Sequence, residues 1–284
     1  MVSIMTDGLH DGIIKWLEFT KPLIEKIVSY TWAGPDSEQF FEFLQRAAVV
    51  RQKEAIEAAL KMDEAGHAHF AVTFLRPAYE ELIWIEYLNQ HSDVASELVS
   101  LMGFSETTKS LDAQNQYLGA RVMNDLGFTQ RFIKIQDAEC KKREARIREI
   151  GRALGWPQDR SLLPPMGWLS RKVKRERQYN FLYHATSRFV HFSQQELLRR
   201  VWGKQGKVDI GSTTFAAYWR NFGLYWSFYL YVHLIIVCSE AFGDAEPIES
   251  MWDEMKEYMR KFNPQPIITH EELRPWPGET ARKH

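Results

Sequence analysis

In the stretch FLYHATSRFVHFS, residues 181–193, two histidines stand seven positions apart with an arginine between them. On a helix of 3.6 residues per turn, His184, Ser187, Arg188, His191 and Gln195 share one stripe. Histidines titrate near neutral pH, so one can take a proton while the other gives one. An arginine beside them can stabilise charge growing on phosphate oxygens. Metal-independent RNA cleavage needs groups of this kind, because the RNA 2′-hydroxyl is itself the nucleophile. The same stripe also reads as the solvated or hydrogen-bonded face of an amphipathic helix, since Phe181, Leu182, Ala185, Phe189 and Phe192 form an apolar stripe beside it.

A second constellation lies in HFAVTFLRPAYEELIWIEYL, where Arg76 and Glu80 are helix neighbours at i and i+4. The segment is so apolar that the pair is either a buried ion pair or a surface bridge at a kink. Pro77 between them removes a backbone donor and crowds the carbonyl of Thr73, which predicts a kink. Glu64 and His67 form a single E-x-x-H. Di-iron bundles need that motif twice, so no metal or cofactor is expected from it. There is no phosphate-cradling glycine loop, nucleophile elbow or dinucleotide fingerprint.

The elements that must position these residues read as helices throughout. Helical periodicity recurs from end to end, and no stretch shows sustained alternation with β-branched residues. Helices are predicted over residues 10–32 with an interruption at Pro22, from a cap at Asp36-Ser37 to about 63, over 67–90, from Ser92 or Asp93 to Gly103, from Ser105 to about 125, and over 128–154. A Pro, Gly and Trp-rich loop follows. One helix is predicted from 171 to 202, then a Gly-rich turn, an apolar helix over about 214–242, and a last helix from Glu246-Pro247 to about 262. The expectation is an all-α, single multi-helix bundle over 1–262, the apolar helix fully buried at its centre, with 263–284 as an extended or poorly ordered tail.

Composition supports a globular chain: of 284 residues, 45% are hydrophobic and 26% charged. Residues 222–238 are apolar nearly all round, but at 17 residues with aromatics in their middle they fit a buried bundle helix better than a membrane span. Cys140 and Cys238 make no disulfide framework, and the N-terminus lacks the pattern of a secretory signal, so a cytoplasmic location is expected. Net charge is −1, yet residues 141–177 hold 12 Lys/Arg against 4 Asp/Glu. That segment is either a solvated face or a contact face for phosphates, with RNA as the candidate partner.

The two helices together carry a resemblance. FLRPAYEELIWIEYL holds Arg76-x-x-x-Glu80, and YNFLYHATSRFVHFS holds Tyr179, Tyr183, Ser187 and His191 at four-residue steps. This pattern resembles a widespread bacterial family of helical proteins known only as a domain of unknown function, over about residues 45–240. The resemblance implies that Arg76, Glu80, Tyr183, Ser187 and His191 face one another inside the bundle. That family is distantly similar to the HEPN helical domains, many of which are RNases or companions of toxin and defence systems. This implies a homodimeric, RNA-directed protein with His184 or His191 as acid/base and Arg188 or Arg177 as phosphate clamp. The HEPN signature, Arg followed after four to six residues by His, is met by Arg177 and His184, but chance supplies about two such pairs in a chain of this composition. The other reading is a non-catalytic module in which Arg76, Glu80, Tyr183, Ser187 and His191 form a buried polar network.

Overall fold

The computed structural model describes residues 6–29, 39–158, 161–191, 193–204, 207–211, 213–242, 253, 257, 258, 260 and 266–268. Their order is α1 (Thr6–Val28), α2 (Phe40–Glu64), a 3-10 turn (Ala68–Ala71), α3 (Val72–Asn89), α4 (Ser92–Asp125), α5 (Gln130–Ala153), α6 (Met166–Lys172), α7 (Glu176–Val190), α8 (Gln194–Leu198), β1 (Val201–Lys204), β2 (Lys207–Ile210), α9 (Thr213–Val237) and α10 (Ser239–Phe242). The all-α expectation holds, with one small exception. Where a Gly-rich turn is predicted, β1 and β2 pair antiparallel in a two-stranded hairpin, with Val201 opposite Ile210. The cap at Asp36-Ser37, most of the helix predicted from Glu246 and most of the C-terminal tail lie outside the described residues.

Several boundaries differ from the periodicity. α1 runs on through Pro22, where an interruption is predicted, while α3 contains Pro77 as the predicted 67–90 helix does. The two helices predicted around Gly103 and Ser105 are one, α4, because a lone helical glycine costs only about 1 kcal/mol. The irregularity falls instead at Gly119, whose φ of 78° only glycine adopts freely. Ser105 is then no cap; it is buried, and its Oγ donates to Glu144 Oε1 at 3.5 Å. The single helix predicted over 171–202 is three. Lys174 takes a left-handed φ of 59°, and the Arg175 amide returns to the Ser170 carbonyl at 2.7 Å, closing α6. Ser193 opens α8 by accepting a hydrogen bond from the Glu196 amide at 3.3 Å, the S-x-x-E signal of a helix start.

A single domain over 1–262 is the expectation; the chain clusters into two compact units. One comprises residues 32–44 and 86–169. In it α4 packs on α5, burying Ala95, Leu98, Met123, Ile147 and Ile150. Trp156 seats its indole there, with Nε1 donating to the Tyr87 hydroxyl at 2.8 Å.

The other unit comprises residues 1–31, 45–85 and 170–284 and holds the candidate site. Its centre is α9, packed against the 3-10 turn and α1. Phe222, Leu224, Phe228, Leu230, Tyr231 and Leu234 of α9 are fully buried, in keeping with its apolar surface on almost every side, although Ala217 is exposed. Gly223 lets α9 approach closely: a Cβ there would lie 3.0 Å from Ala71 Cβ and 3.2 Å from the Val72 nitrogen. Asp63, at the end of α2, ties in α1 and α9: its carboxylate accepts from His10 Nδ1 at 2.8 Å and from the Arg220 guanidinium. No helix among the described residues is long and apolar enough to cross a membrane.

Candidate functional site

The first half of the site stands on α3. Arg76 Nε donates to Glu80 Oε1 at 3.0 Å, the i to i+4 contact the spacing predicts. The side chains are 25% and 31% exposed, so the pair sits at the surface of its unit rather than inside it. Burial works against the charge on Arg76, but the hydrogen bond and charge of Glu80 outweigh it and hold the guanidinium protonated above its ordinary range.

The second half is α7. Tyr179, Tyr183 and Ser187 follow one another at single-turn steps, with the rings of Tyr179 and Tyr183 5.6 Å apart. Burial, then neighbouring Tyr183, raises the Tyr179 hydroxyl above its usual value. His191 does not lie within the helix, as the stripe predicts. It caps α7 in extended backbone, φ −122° and ψ 162°, while its amide still bonds the Ser187 carbonyl at 3.1 Å. The row is thus kept in register, but the imidazole leaves from a helix end. It reaches α3: Arg76 Nη1 lies 2.7 Å from His191 Nε2. The guanidinium also lies 5.5 Å from the centre of the Tyr183 ring. Arg76 therefore gathers Glu80, Tyr183 and His191, while Ser187 lines the cleft beside them.

That cleft has a volume of about 610 Å³ and is lined by Tyr183, His184, Ser187, Arg188, His191, Ser193, Gln195, Ile267 and Ile268. The polar stripe of 181–193 thus faces an open hollow. His184 is exposed in it. Arg188 turns its Nε back to the His184 carbonyl at 3.1 Å and donates from Nη2 to the Ile267 carbonyl at 3.4 Å. Arg177 is not part of this cleft. It lines a second recess of about 600 Å³ at the other end of α7, with Arg171, Lys174, Arg175, Glu176, Gln178 and Tyr229.

Two features escape the sequence reading. Arg199, just after α8, is 4% exposed and lies over the Trp219 ring at 4.5 Å. It also donates to the Ile267 carbonyl, at 3.0 Å. Four-residue steps from His191 through Gln195 lead to Arg199, a signal concealed by the end of α7 at Val190 and the separate start of α8 at Gln194. The second feature is the His10, Asp63 and Arg220 cluster, which no local spacing announces.

The other candidates part company. Glu64 ends α2, and His67 precedes the 3-10 turn beyond Gly66, whose φ is 76°, so the E-x-x-H does not share a helix face. Among the described residues no group of three or more His, Cys, Asp or Glu is arranged to hold a metal ion. The basic segment 141–177 divides between the two units. On α5 three of its cations meet acids: Lys141 with Asp137, Lys142 with Glu139, and Arg146 with Glu97 and Glu149.

Residues 42–208 match the model of a protein family described as a family of unknown function, DUF5677. No curated protein and no solved structure matches the chain.

Proposed function

We propose, from the premise that the chain belongs to DUF5677, a family of unknown function, that it is an RNA-directed protein of HEPN type whose α7 cleft takes a phosphodiester and cleaves it without a metal. The observation that carries this reading is the cleft itself, where His184, Ser187, Arg188 and His191 line one open volume and Arg76 touches His191. In the cleavage step the 2′-hydroxyl oxygen attacks phosphorus as His184 takes its proton. The bond from phosphorus to the 5′-oxygen breaks, and protonated His191 gives that oxygen its proton. Arg76 only donates, so it must leave Nε2 for the phosphate before His191 carries that proton; binding and acid function are coupled through one guanidinium. The products are a 2′,3′-cyclic phosphate and a 5′-hydroxyl. The recess of Arg171, Lys174, Arg175 and Arg177, about 20 Å away at the far end of α7, holds neighbouring phosphates.

The test is incubation of the purified chain with transfer RNA and total RNA in EDTA, with the new ends analysed. Cleavage that yields cyclic phosphate and disappears in a His184→Ala/His191→Ala double variant is the expected result. No cleavage, or cleavage unchanged in the double variant, overturns the catalytic reading. A second reading is a non-catalytic module in which Arg76 orders Glu80, Tyr183 and His191; the closure of all three contacts on one guanidinium favours it. RNA bound but left intact in the same assay supports that reading.

A further inference from the structure

Arg188 and Arg199 stand at the ends of two different helices, yet both donate to one oxygen, the carbonyl of Ile267, at 3.4 and 3.0 Å. Arg199 is firmly placed. Its guanidinium lies over Trp219 at 4.5 Å and near Phe215 at 5.8 Å, with Glu196 3.8 Å away. The guanidinium of Arg188 is 6.0 Å from the same Trp219 ring. Ile267 and Ile268 in turn form part of the wall of the cleft that His184, Ser187 and His191 line. A peptide oxygen thus sits where two guanidiniums converge. Guanidiniums hold the oxygens of phosphates more strongly than neutral carbonyls, and their planar fork fits two such oxygens at once.

We infer that residues 266–268 are an intrachain occupant of a phosphate position built by Arg188 and Arg199, so that the C-terminal segment and an RNA phosphodiester compete for the same two side chains. The inference rests on reading the cleft as a phosphodiester site. It adds Arg199 as a phosphate ligand and makes the segment around Ile267 a strap that RNA must displace. Ile267 lies 68 residues beyond Arg199 along the chain and belongs to neither α7 nor α8, so its displacement need not unwind either helix.

The experiment compares the full chain with its Ile267→Gly/Ile268→Gly variant, which removes the two side chains that the strap adds to the cleft wall. The probe is a short fluorescein-labelled oligouridylate at fixed salt. The variant is expected to bind about tenfold tighter. A synthetic peptide covering residues 263–272 should reverse the gain when added in trans, and Arg188→Gln placed in the variant should abolish it. Arg199→Lys gives a second check, because it keeps the charge over Trp219 while losing the fork. Equal RNA binding by both chains with no effect of the peptide overturns the inference while leaving the RNA reading intact. If neither chain binds RNA, that reading fails, and a labelled copy of the peptide decides the strap. Peptide binding to the variant that is lost with Arg188→Gln supports the strap, and absence of peptide binding overturns it.

Discussion

Arg76 Nη1 and His191 Nε2, separated by 115 positions in the chain, meet at 2.7 Å. Arginine has donors only, so Nε2 accepts, and in this contact the imidazole is neutral with its proton on Nδ1. That is a definite tautomer imposed by another helix. Nitrogen-detected proton NMR of the free protein should find His191 protonated at Nδ1. In Arg76→Gln the ring should lose this bias. A ring protonated at Nε2 in the unaltered chain would contradict the contact.

The Arg76 and Glu80 pair is a quarter to a third exposed, which sets the size of its contribution. Arg76→Ala should cost about 1–2 kcal/mol in urea unfolding, above a fully exposed pair because His191 and Tyr183 also lose a partner. A loss of about 4 kcal/mol or more would mean the pair behaves as a buried one.

His233 on α9 gives the fold a pH dependence. Burial, reinforced by the charge of Arg175, pushes its pKa down to about 3. The unfolded chain takes up this proton near pH 6.5 and the folded chain does not. Stability is therefore whole above about pH 6.5 and falls as the pH drops toward 3, by up to about 1.4 kcal/mol per pH unit. Unfolding midpoints of His233→Gln plotted against pH should be flatter than those of the parent over this window. Parallel curves would rule the residue out as the source.

Asp63 acts lower on the pH scale. Burial alone would raise its carboxyl, but hydrogen bonds from Arg220 and His10 outweigh that and bring its pKa below the ordinary value. The stabilisation is present above the unfolded value of about 3.9 and is lost as the pH falls through the lower folded value. Asp63→Asn should cost about 3 kcal/mol at pH 7, and the difference from the parent should shrink toward pH 2. A constant difference between pH 7 and pH 2 would show that charge plays no part.

A Cβ at Gly223 would crowd Ala71 and Val72, at 3.0 and 3.2 Å. Gly223→Val should cost about 1–3 kcal/mol, since α9 must retreat from the 3-10 turn that leads into α3. Thermal melts of this variant close to those of the parent would show that the contact is loose.

The helices were legible because their cause is local. The 3.6-residue recurrence of apolar positions sets α2, α3, α5 and α9, and the four-residue row of Tyr179, Tyr183 and Ser187 follows from that period alone. The composition of residues 222–238 likewise marks the helix at the centre of its unit. The breaks were harder. Lys174 takes a left-handed backbone with no glycine to announce it, and of the two glycines inside α4 it is Gly119, not Gly103, that leaves helical backbone. Only the tertiary structure decided the polar meetings that neither spacing nor resemblance implies: His10, Asp63 and Arg220 lie on three helices, and Arg199 finds Ile267. Periodicity tells which face of a helix is polar. Which distant face it meets depends on how the helices pack, and that is fixed by the shapes of many buried side chains together rather than by any short spacing in the chain.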